Sequence, residues 1–232
     1  MNFGANAGYV CVPATGVVDK LPENMTDEEA APVCDGPLTS LSILKDVGKI
    51  QAGQKVLVSG AAGSLGSAAV QIARHFGAEV SGVCSTSNLE FVRSLGADKV
   101  IDYTETDFTR AEDAYDIIFD TVGKRSFSRC KGVLRENGVY LSPLLKLSLL
   151  FQMIWSSRFE GKKARFSATG LRPGEELRGL LKELESLYAK GRLRTVIDRC
   201  YPLERTAEAH RHVDTGHKWG DVVLTITSVY NS

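Results

Sequence analysis

The chain has 232 residues, and its 28 lysines and arginines balance its 28 aspartates and glutamates, which leaves a formal net charge of zero. There is no basic excess of the kind that nucleic-acid binding requires, and 43% apolar residues are enough to form a sizeable core. The five cysteines include no CxxC pair, so we expect neither a disulfide framework nor a cysteine-rich zinc lobe.

The N-terminal part of the chain predicts extended structure followed by helix. Residues 9–18 are predicted to form a strand, with Pro13 and Gly16 marking turns. The acidic stretch DEEAA after Thr26 is typical of a helix start, and residues 38–47 have a helical pattern. No basic segment followed by an apolar one opens the sequence, so we expect no signal peptide and a cytoplasmic location.

From Lys55 onward the sequence alternates between strand and helix patterns. The predicted strands are short, apolar and β-branched, at residues 56–59, 79–84, 99–103, 115–119, 139–142 and 165–168. The predicted helices cover residues 67–76, 89–95, 126–135 and 175–190. This alternation predicts an α/β fold of the Rossmann type, with a doubly wound, mainly parallel sheet buried on both faces. Residues 195–197 and 222–226 predict two more strands around a helix at 203–213, and these need not join that sheet.

The most apolar stretch of the chain is LLKLSLLFQMIW, at residues 144–155. It is too short to span a bilayer, which takes about 20 residues, so no membrane contact is expected. Two interpretations stay open, a buried helix or a subunit interface, and the second implies a homodimer.

A glycine-rich turn, KVLVSGAAGSLG, joins the strand at 56–59 to the following helix. Against the pattern GxGxxG, alanine replaces the first glycine, and Ala62, Gly63, Ser64, Leu65 and Gly66 complete it. Gly63 would let the backbone approach a pyrophosphate, Gly66 would let the helix pack closely on the strand, and the helix amides would hold the anion. The alternative is a tight turn that binds nothing.

The end of the next strand indicates which nucleotide is preferred. NAD-binding proteins of this kind place a carboxylate there for the ribose 2′-OH, whereas this chain has Ser85, Thr86, Ser87 and Asn88. Hydroxyl and amide groups could donate hydrogen bonds to a 2′-phosphate, which a carboxylate would repel. NADP(H) is therefore favoured, and NAD(H) is the alternative. These residues could instead only cap the helix that starts at Leu89.

The runs VLVSGAAGSLGSAAVQIARHFGAEV, VRSLGADKVIDY and YDIIFDTVG resemble the zinc-independent, quinone oxidoreductase-like medium-chain dehydrogenase/reductases, and the resemblance covers nearly the whole chain. It implies that residues 63–66 bind pyrophosphate and residues 85–88 surround the adenosine ribose. It also implies that Tyr103 lies at the adenosine end, Thr121 and Val122 beside the cofactor, and Pro143 and Leu144 near the nicotinamide. It places Asp35, not Cys34, where zinc-dependent relatives carry a catalytic ligand, so no metal is expected.

Members of this family are longer and begin with a GroES-like catalytic domain. The resemblance therefore implies three parts: a remnant of that domain at 1–37, a dinucleotide-binding Rossmann domain at 38–191, and a return to the catalytic domain at 192–232. It implies NADP(H)-dependent reduction of a quinone, an enone or enal, or a small carbonyl by hydride transfer without zinc. The alternative is a truncated cofactor-binding module without activity. No catalytic residue is assigned.

Overall fold

The alternating apolar runs fold into parallel sheets in a computed structural model that describes residue 7 and residues 10–110, 114–158 and 161–226. The strands are β1 Lys55–Ser59, β2 Glu79–Cys84, β3 Lys99–Asp102, β4 Tyr115–Asp120, β5 Leu134–Ser142, β6 Lys163–Phe166, β7 Ile197–Pro202 and β8 Asp221–Thr225. The first six form one sheet in the order β3-β2-β1-β4-β5-β6, and β7 and β8 form a separate parallel pair.

Helices cover both faces of the six-stranded sheet. They are α1 Asp27–Ala30, α2 Gly36–Leu41, α3 Ser64–His75, α4 Leu89–Ser94, α5 Phe127–Cys130, α6 Leu147–Ser157, α7 Gly174–Ala189 and α8 Thr206–Asp214. Along β1, Val56 and Val58 belong to one buried cluster with α2, α3 and α7, whereas Leu57 belongs to the cluster on the other face. Burial on both faces explains why these strands read as continuous apolar runs, and the predicted fold class is confirmed.

The strand order reverses direction between β1 and β4. From β1 the chain proceeds outward through β2 and β3, and it then returns to the other side of β1 to build β4, β5 and β6. All of these pairs are parallel, and Ser59 at the end of β1 lies in register with Asp120 at the end of β4. Such a reversal opens a crevice at the carboxyl ends of the strands, where open α/β sheets bind ligands.

Two predicted elements are wrong because tertiary pairing overrides local signals. The helix predicted at 126–135 ends at Cys130, and its last residues already belong to β5. Asn137, which has a φ of +63°, and Gly138 lie inside β5, where the pairing with β4 shifts register. The strand predicted at 195–197 lies later, at β7, because its partner β8 pairs with Ile197–Pro202.

The N-terminal prediction is also wrong where the structure describes it. Residues 10–18 form no strand; a turn closes between the Gly16 amide and the Pro13 carbonyl, 2.8 Å apart, and Tyr9 lies outside the described residues. The helix expected at 38–47 begins earlier, at Gly36, and continues through Ser42–Val47 as a π-helix. The capping box of Thr26 and Glu29 starts α1, as the acidic stretch predicts.

The apolar stretch at 144–155 forms most of α6, but it is not a buried helix. Leu147, Phe151 and Trp155 are 78%, 72% and 71% exposed. Leu149, by contrast, packs into the cluster beneath the sheet. The helix therefore presents an apolar outer face, which leaves the interface interpretation open.

Candidate functional site

The glycine turn lies at the crevice where the strand order reverses. Gly60 leaves β1 with a φ of +78°, a backbone conformation that favours glycine, and the Gly60 and Ala61 amides donate to the Val83 carbonyl of β2 at 3.1 and 3.0 Å. Gly63 is the N-cap of α3, which therefore begins at Ser64 and not at 67 as predicted. The first amides of α3, free of carbonyl partners within the helix, thus face the crevice.

A methyl group would meet different surroundings at the two glycines of the motif. At Gly63 the nearest atom to an added Cβ is the Gly60 carbonyl oxygen, 3.6 Å away, so the space above this residue is open. At Gly66 an added Cβ would overlap the Gly60 carbonyl and the Ala61 backbone. Gly66 therefore allows the close packing of α3 on the end of β1, and Gly63 leaves room for a ligand.

The hydroxyl of Ser64, in the first turn of α3, is an orphan polar group. It is buried, and no hydrogen-bond partner reaches it among the residues that the structure describes. Asp221, at the start of β8, lies near enough to this hydroxyl for its carboxyl to be affected by it. Burial raises the pKa of this carboxyl and Asp35 raises it further, while the Ser64 hydroxyl and Lys218 lower it.

The loop after β2 carries hydroxyl and amide groups toward the crevice. Ser85 and Ser87 share a hydrogen bond of 3.2 Å, and the Asn88 amide donates to the Ser85 hydroxyl at 3.2 Å. The nearest carboxylate is Asp102 at the end of β3, in register with Cys84. The pKa of Asp102 is lowered by two threonine hydroxyls, most by that of Thr86 and then by that of Thr104. Thr104 donates to the Asp102 carboxylate through both its amide and its hydroxyl.

The loop after β4 is held by a buried aspartate. Asp120 is 1% exposed and accepts hydrogen bonds from the Val122 and Gly123 amides at 3.2 and 2.9 Å and from the Tyr140 hydroxyl at 2.8 Å. The Thr121 hydroxyl donates to the Ser59 carbonyl at 2.8 Å, which fixes this loop to the end of β1. Together these bonds set the position of residues 121–125 at the crevice.

A segment after α8 forms a further wall. The Gly220 amide donates to the Ala62 carbonyl at 2.7 Å, and Gly220 forms a parallel bridge with Gly63. Trp219 packs against Phe91 of α4, with the ring centroids 5.0 Å apart. Residues 216–220 therefore lie between the glycine turn and the helix that follows the loop at 85–88.

These elements enclose a cavity of about 680 Å³. Nine of the predicted site residues line it: Ala62, Gly63, Ser64, Leu65, Ser85, Asn88, Tyr103, Thr121 and Val122. Gly66 lies beneath the turn, and Thr86 and Ser87 bond to neighbouring hydroxyls. Leu144 lines a separate cavity of about 130 Å³ beside Gly123, and Pro143 lines neither cavity.

Nine further residues line the same cavity and were not among the predicted site residues. They are Ser59, Gly60, Val83, Cys84, Phe108, Lys124, Arg125, Gly216 and Lys218. The strand ends could have been found from the fold, since the carboxyl ends of neighbouring parallel strands meet at one edge. The two residues beyond α8 carry no local signal, because the long return of the chain brings them there.

The basic side chains at this cavity differ in their partners. Arg125 pairs with Asp107 at 3.7 Å and lies over the Phe108 ring, 6.0 Å from its centroid. Lys124 is exposed at the rim. The Lys218 ammonium donates to the Gly220 carbonyl at 2.6 Å. The cavity thus combines helix amides, hydroxyls and cations, a chemistry that suits a phosphate-bearing ligand.

Within the described part of the chain, no group of three or more His, Cys, Asp and Glu side chains is arranged to hold a metal ion. No helix in the same ranges is long and apolar enough to cross a membrane.

Relatives of known structure have the same fold. The quinone oxidoreductase of Coxiella burnetii superposes with a TM-score of 0.79 at 26% sequence identity, over 90% of this chain and 64% of that one. Among curated proteins, the 2-methylene-furan-3-one reductase of Solanum lycopersicum is 33% identical over 226 residues, which are 96% of this chain and 53% of that protein.

A second curated relative is the chloroplastic NADPH-dependent alkenal/one oxidoreductase of Arabidopsis thaliana, 33% identical over 180 residues, or 76% of this chain and 42% of that protein. The chain thus spans about half the length of these two relatives. A family model described as zinc-binding dehydrogenase matches residues 95–224, which is more than half of the sequence. The chain therefore belongs to the zinc-binding dehydrogenase family of the medium-chain dehydrogenase/reductase superfamily.

Proposed function

We propose that this chain is an NADP(H)-dependent oxidoreductase that reduces a quinone, an enone or enal, or a small carbonyl by hydride transfer without zinc. The observation that carries the proposal is the cavity at the strand-order reversal, with the open backbone of Gly63 and the first amides of α3 at its wall. The names of the relatives, which include a furanone reductase and an alkenal/one oxidoreductase, support the same class of reaction.

The residues at the cavity fit a dinucleotide. The pyrophosphate would lie on the first turn of α3, where Gly63 leaves room for it and the first amides of the helix lack carbonyl partners. Ser85 and Asn88 would meet the adenosine ribose, and Tyr103 would lie at the adenosine end. Thr121 and Val122 would lie beside the dinucleotide at the end of β4, and Pro143 and Leu144 would lie farther along, toward the nicotinamide.

A 2′-phosphate would be favoured by the charges around the ribose. The loop at 85–88 has no carboxylate of its own, and the nearby Asp102, which accepts from Thr104, is not among the residues that line the cavity. Three basic side chains, Lys124, Arg125 and Lys218, line the cavity. NADP(H) is therefore preferred in the proposal, and NAD(H) is the alternative.

When bound, the reduced nicotinamide supplies the hydride. The chain itself positions the dinucleotide: Asp120 holds the loop of Thr121 and Val122 against β1, and Gly66 keeps the N-terminus of α3 close to the strand end. The acceptor oxygen of the substrate needs a hydrogen-bond donor as charge develops on it. No residue of this chain is assigned that role.

The experiment is a pair of measurements on the purified chain. Titration with NADPH and NADH should show binding of both, tighter for NADPH, and NADPH oxidation should follow addition of a quinone or an enal from a panel. If neither dinucleotide binds, the proposed function is wrong. If NADPH binds but no acceptor is reduced, the alternative of a cofactor-binding module without activity replaces the enzyme proposal.

Zinc independence is part of the proposal and has its own test. Dialysis against a chelator should leave the rate of NADPH oxidation unchanged, and elemental analysis should find no zinc at stoichiometric amount. A rate that falls on chelation and returns with added zinc would contradict it.

The proposal also includes a homodimer formed through residues 144–155. The exposed apolar face of α6 lies next to β6, which is the last strand of the sheet and pairs with β5 alone among the described strands. A second copy would cover both the apolar face and the open strand edge. Light scattering after gel filtration should give the mass of two chains, and Phe151→Asp should give one; a wild-type monomer at high concentration would contradict this.

Two further parts of the proposal concern the whole protein. We propose the division into 1–37, 38–191 and 192–232 on the family resemblance. Limited proteolysis with mass spectrometry should cut near those boundaries first. We propose a cytoplasmic location, which fractionation of the source cells would test.

A further inference from the structure

Lys218 lies where the segment beyond α8 meets the candidate dinucleotide site. Trp219, the next residue along the chain, packs on Phe91 of α4 with ring centroids 5.0 Å apart. The amide of Gly220, two residues beyond Lys218, donates to the Ala62 carbonyl of the glycine turn at 2.7 Å. Lys218 is thereby fixed between the pyrophosphate-binding end of α3 and the loop at 85–88, and it lines the 680 Å³ cavity together with both.

Lys218 forms no ion pair with a described carboxylate, although it lies near enough to Asp221 to lower the pKa of that carboxyl. Its ammonium donates to the Gly220 carbonyl at 2.6 Å. Arg125, the other cation that is partly buried in the cavity wall, is already paired with Asp107. A lysine that lines a cavity wall and forms no direct ion pair there is well placed to bind an anionic ligand.

Backbone contacts of the two residues after Trp219 determine where the Lys218 segment lies. Gly220 has a φ of +57°, and a Cβ on it would overlap the Val196 carbonyl. Only glycine at this position therefore lets the segment lie so close to Val196, which precedes β7. The Asp221 amide then donates to the Val196 carbonyl at 2.8 Å. The two residues that follow Trp219 are therefore held by backbone hydrogen bonds, and Trp219 itself is held by its contact with Phe91.

We propose that Lys218 binds a phosphate group of the dinucleotide, so that the segment at 216–220 supplies the cation that the loop at 85–88 lacks. This inference rests on the proposed function. Two phosphates share the required chemistry, the pyrophosphate at the first turn of α3 and the 2′-phosphate of the adenosine ribose. Both lie next to residues that this segment contacts.

The test compares the purified protein with Lys218→Gln, using Trp219 as an optical reporter. Trp155→Phe in both proteins leaves Trp219 as the one tryptophan, since the sequence contains two. NADPH, NADH, 2′,5′-ADP and ADP are titrated in turn while the Trp219 emission is followed. We expect Lys218→Gln to weaken binding by about 10- to 100-fold, as for other hydrogen bonds to charged groups.

The pattern of loss identifies the phosphate. A loss for NADPH and 2′,5′-ADP, with NADH and ADP unaffected, assigns Lys218 to the 2′-phosphate. A loss for NADPH, NADH and ADP, which all carry a pyrophosphate, assigns it to that group; whether 2′,5′-ADP is also affected tells which of the two phosphates is bound, since this ligand carries only the one next to adenosine. Normal binding of all four by Lys218→Gln overturns the inference while the proposed function stands, whereas failure of the unsubstituted protein to bind any dinucleotide overturns both.

Two controls separate charge from structure. Lys182→Gln removes an exposed lysine on α7 and should leave every affinity unchanged. Lys218→Arg keeps the cation and should restore most of the binding. If Lys218→Arg binds as weakly as Lys218→Gln, while the thermal unfolding of both matches the unsubstituted protein, a phosphate contact through charge is ruled out.

Discussion

Gly63 and Gly66 are three residues apart in one turn, yet the chain leaves space at the first and none at the second. Gly63 has a φ of −77°, which any residue can adopt, and an added Cβ would approach no atom closer than 3.6 Å. Its small size is therefore not required by the fold. The free space has a use only if another molecule occupies it.

Gly63→Val should therefore abolish dinucleotide binding and leave folding nearly intact, because the added methyl groups fill the space that the pyrophosphate needs. The measurement is NADPH titration together with thermal unfolding of the free protein. Gly66→Ala is the matched comparison and should lower the unfolding temperature, since its Cβ overlaps the Gly60 carbonyl. Normal NADPH affinity in Gly63→Val would show that the glycine turn is not the phosphate site.

Asp120 shows how one buried carboxylate fixes a whole loop. It accepts from two amides of residues 122–123 and from Tyr140, whose pKa is raised above its usual range, first by burial and then by Asp120. An amide in place of the carboxylate can present one oxygen, and its NH₂ group would face donors.

Asp120→Asn should destabilise the protein by about 2–4 kcal/mol, because it leaves buried donors without an acceptor. Chemical unfolding monitored by circular dichroism measures this. Tyr140→Phe removes one donor and should cost less, about 1 kcal/mol. Equal stabilities of Asp120→Asn and the unsubstituted protein would contradict the role given to this carboxylate.

Among the secondary-structure elements, those whose position depends on the local residue pattern could be predicted from the sequence. The runs at β1 and β2 are apolar and β-branched and the turn after β1 is punctuated by glycine, so both strands and the turn were correctly placed, and the helix was found but begins three residues earlier than predicted. Asn137 and Gly138 are equally good signals for a helix end, yet they lie in the irregular first half of β5. Pairing with β4 is a long-range effect, and no local pattern reveals it.

The residues of the candidate site also differ in whether local sequence could reveal them. Residues that follow a strand directly, such as Ser85 and Thr121, could be found from the sequence. Lys218 could not, because its position depends on a bond between Gly220 and Ala62, residues far apart in the chain. The apolar pattern of α6 likewise predicted a helix but not its exposure, which depends on what covers the outer face of the sheet.

The helix that carries the glycine turn is clamped to the C-terminal part of the chain by one side chain. Gln71 of α3 is 9% exposed; its amide donates to the Ser67 and Arg194 carbonyls, both at 3.1 Å, and its oxygen accepts from the Arg194 amide at 3.0 Å. These bonds connect α3 to the segment that leads into β7.

Gln71→Leu should destabilise the protein by about 2 kcal/mol, because the part-buried bonds to the Arg194 amide and carbonyl are lost while the side-chain volume changes little. Urea unfolding gives the value. Gln152→Leu is the control, since its bond to Ser128 is exposed, and it should change stability by less than about 0.5 kcal/mol. If the two variants are equally stable, the clamp contributes nothing to the fold.

For the whole molecule, the packing on both faces of the sheet has a consequence for alkaline stability. Burial raises the pKa of Cys84 to about 11, of Cys130 to about 12 and of Tyr188 to about 12, and it also raises that of Tyr140. The ordinary values are 9.0 for a thiol and 10.0 for a phenol. Over this interval the folded chain keeps protons that the unfolded chain releases.

The free energy of unfolding should therefore be fully retained below about pH 9 and fall as the pH rises from there through about 12, because the unfolded state binds fewer protons. Urea unfolding at stepped pH values measures the slope. Tyr188→Phe should flatten it, because the buried phenol no longer titrates. A stability that is constant from pH 9 to 12 would mean that these groups are reached by water in the folded protein, and the two-sided core inferred from the strand pattern would then be wrong.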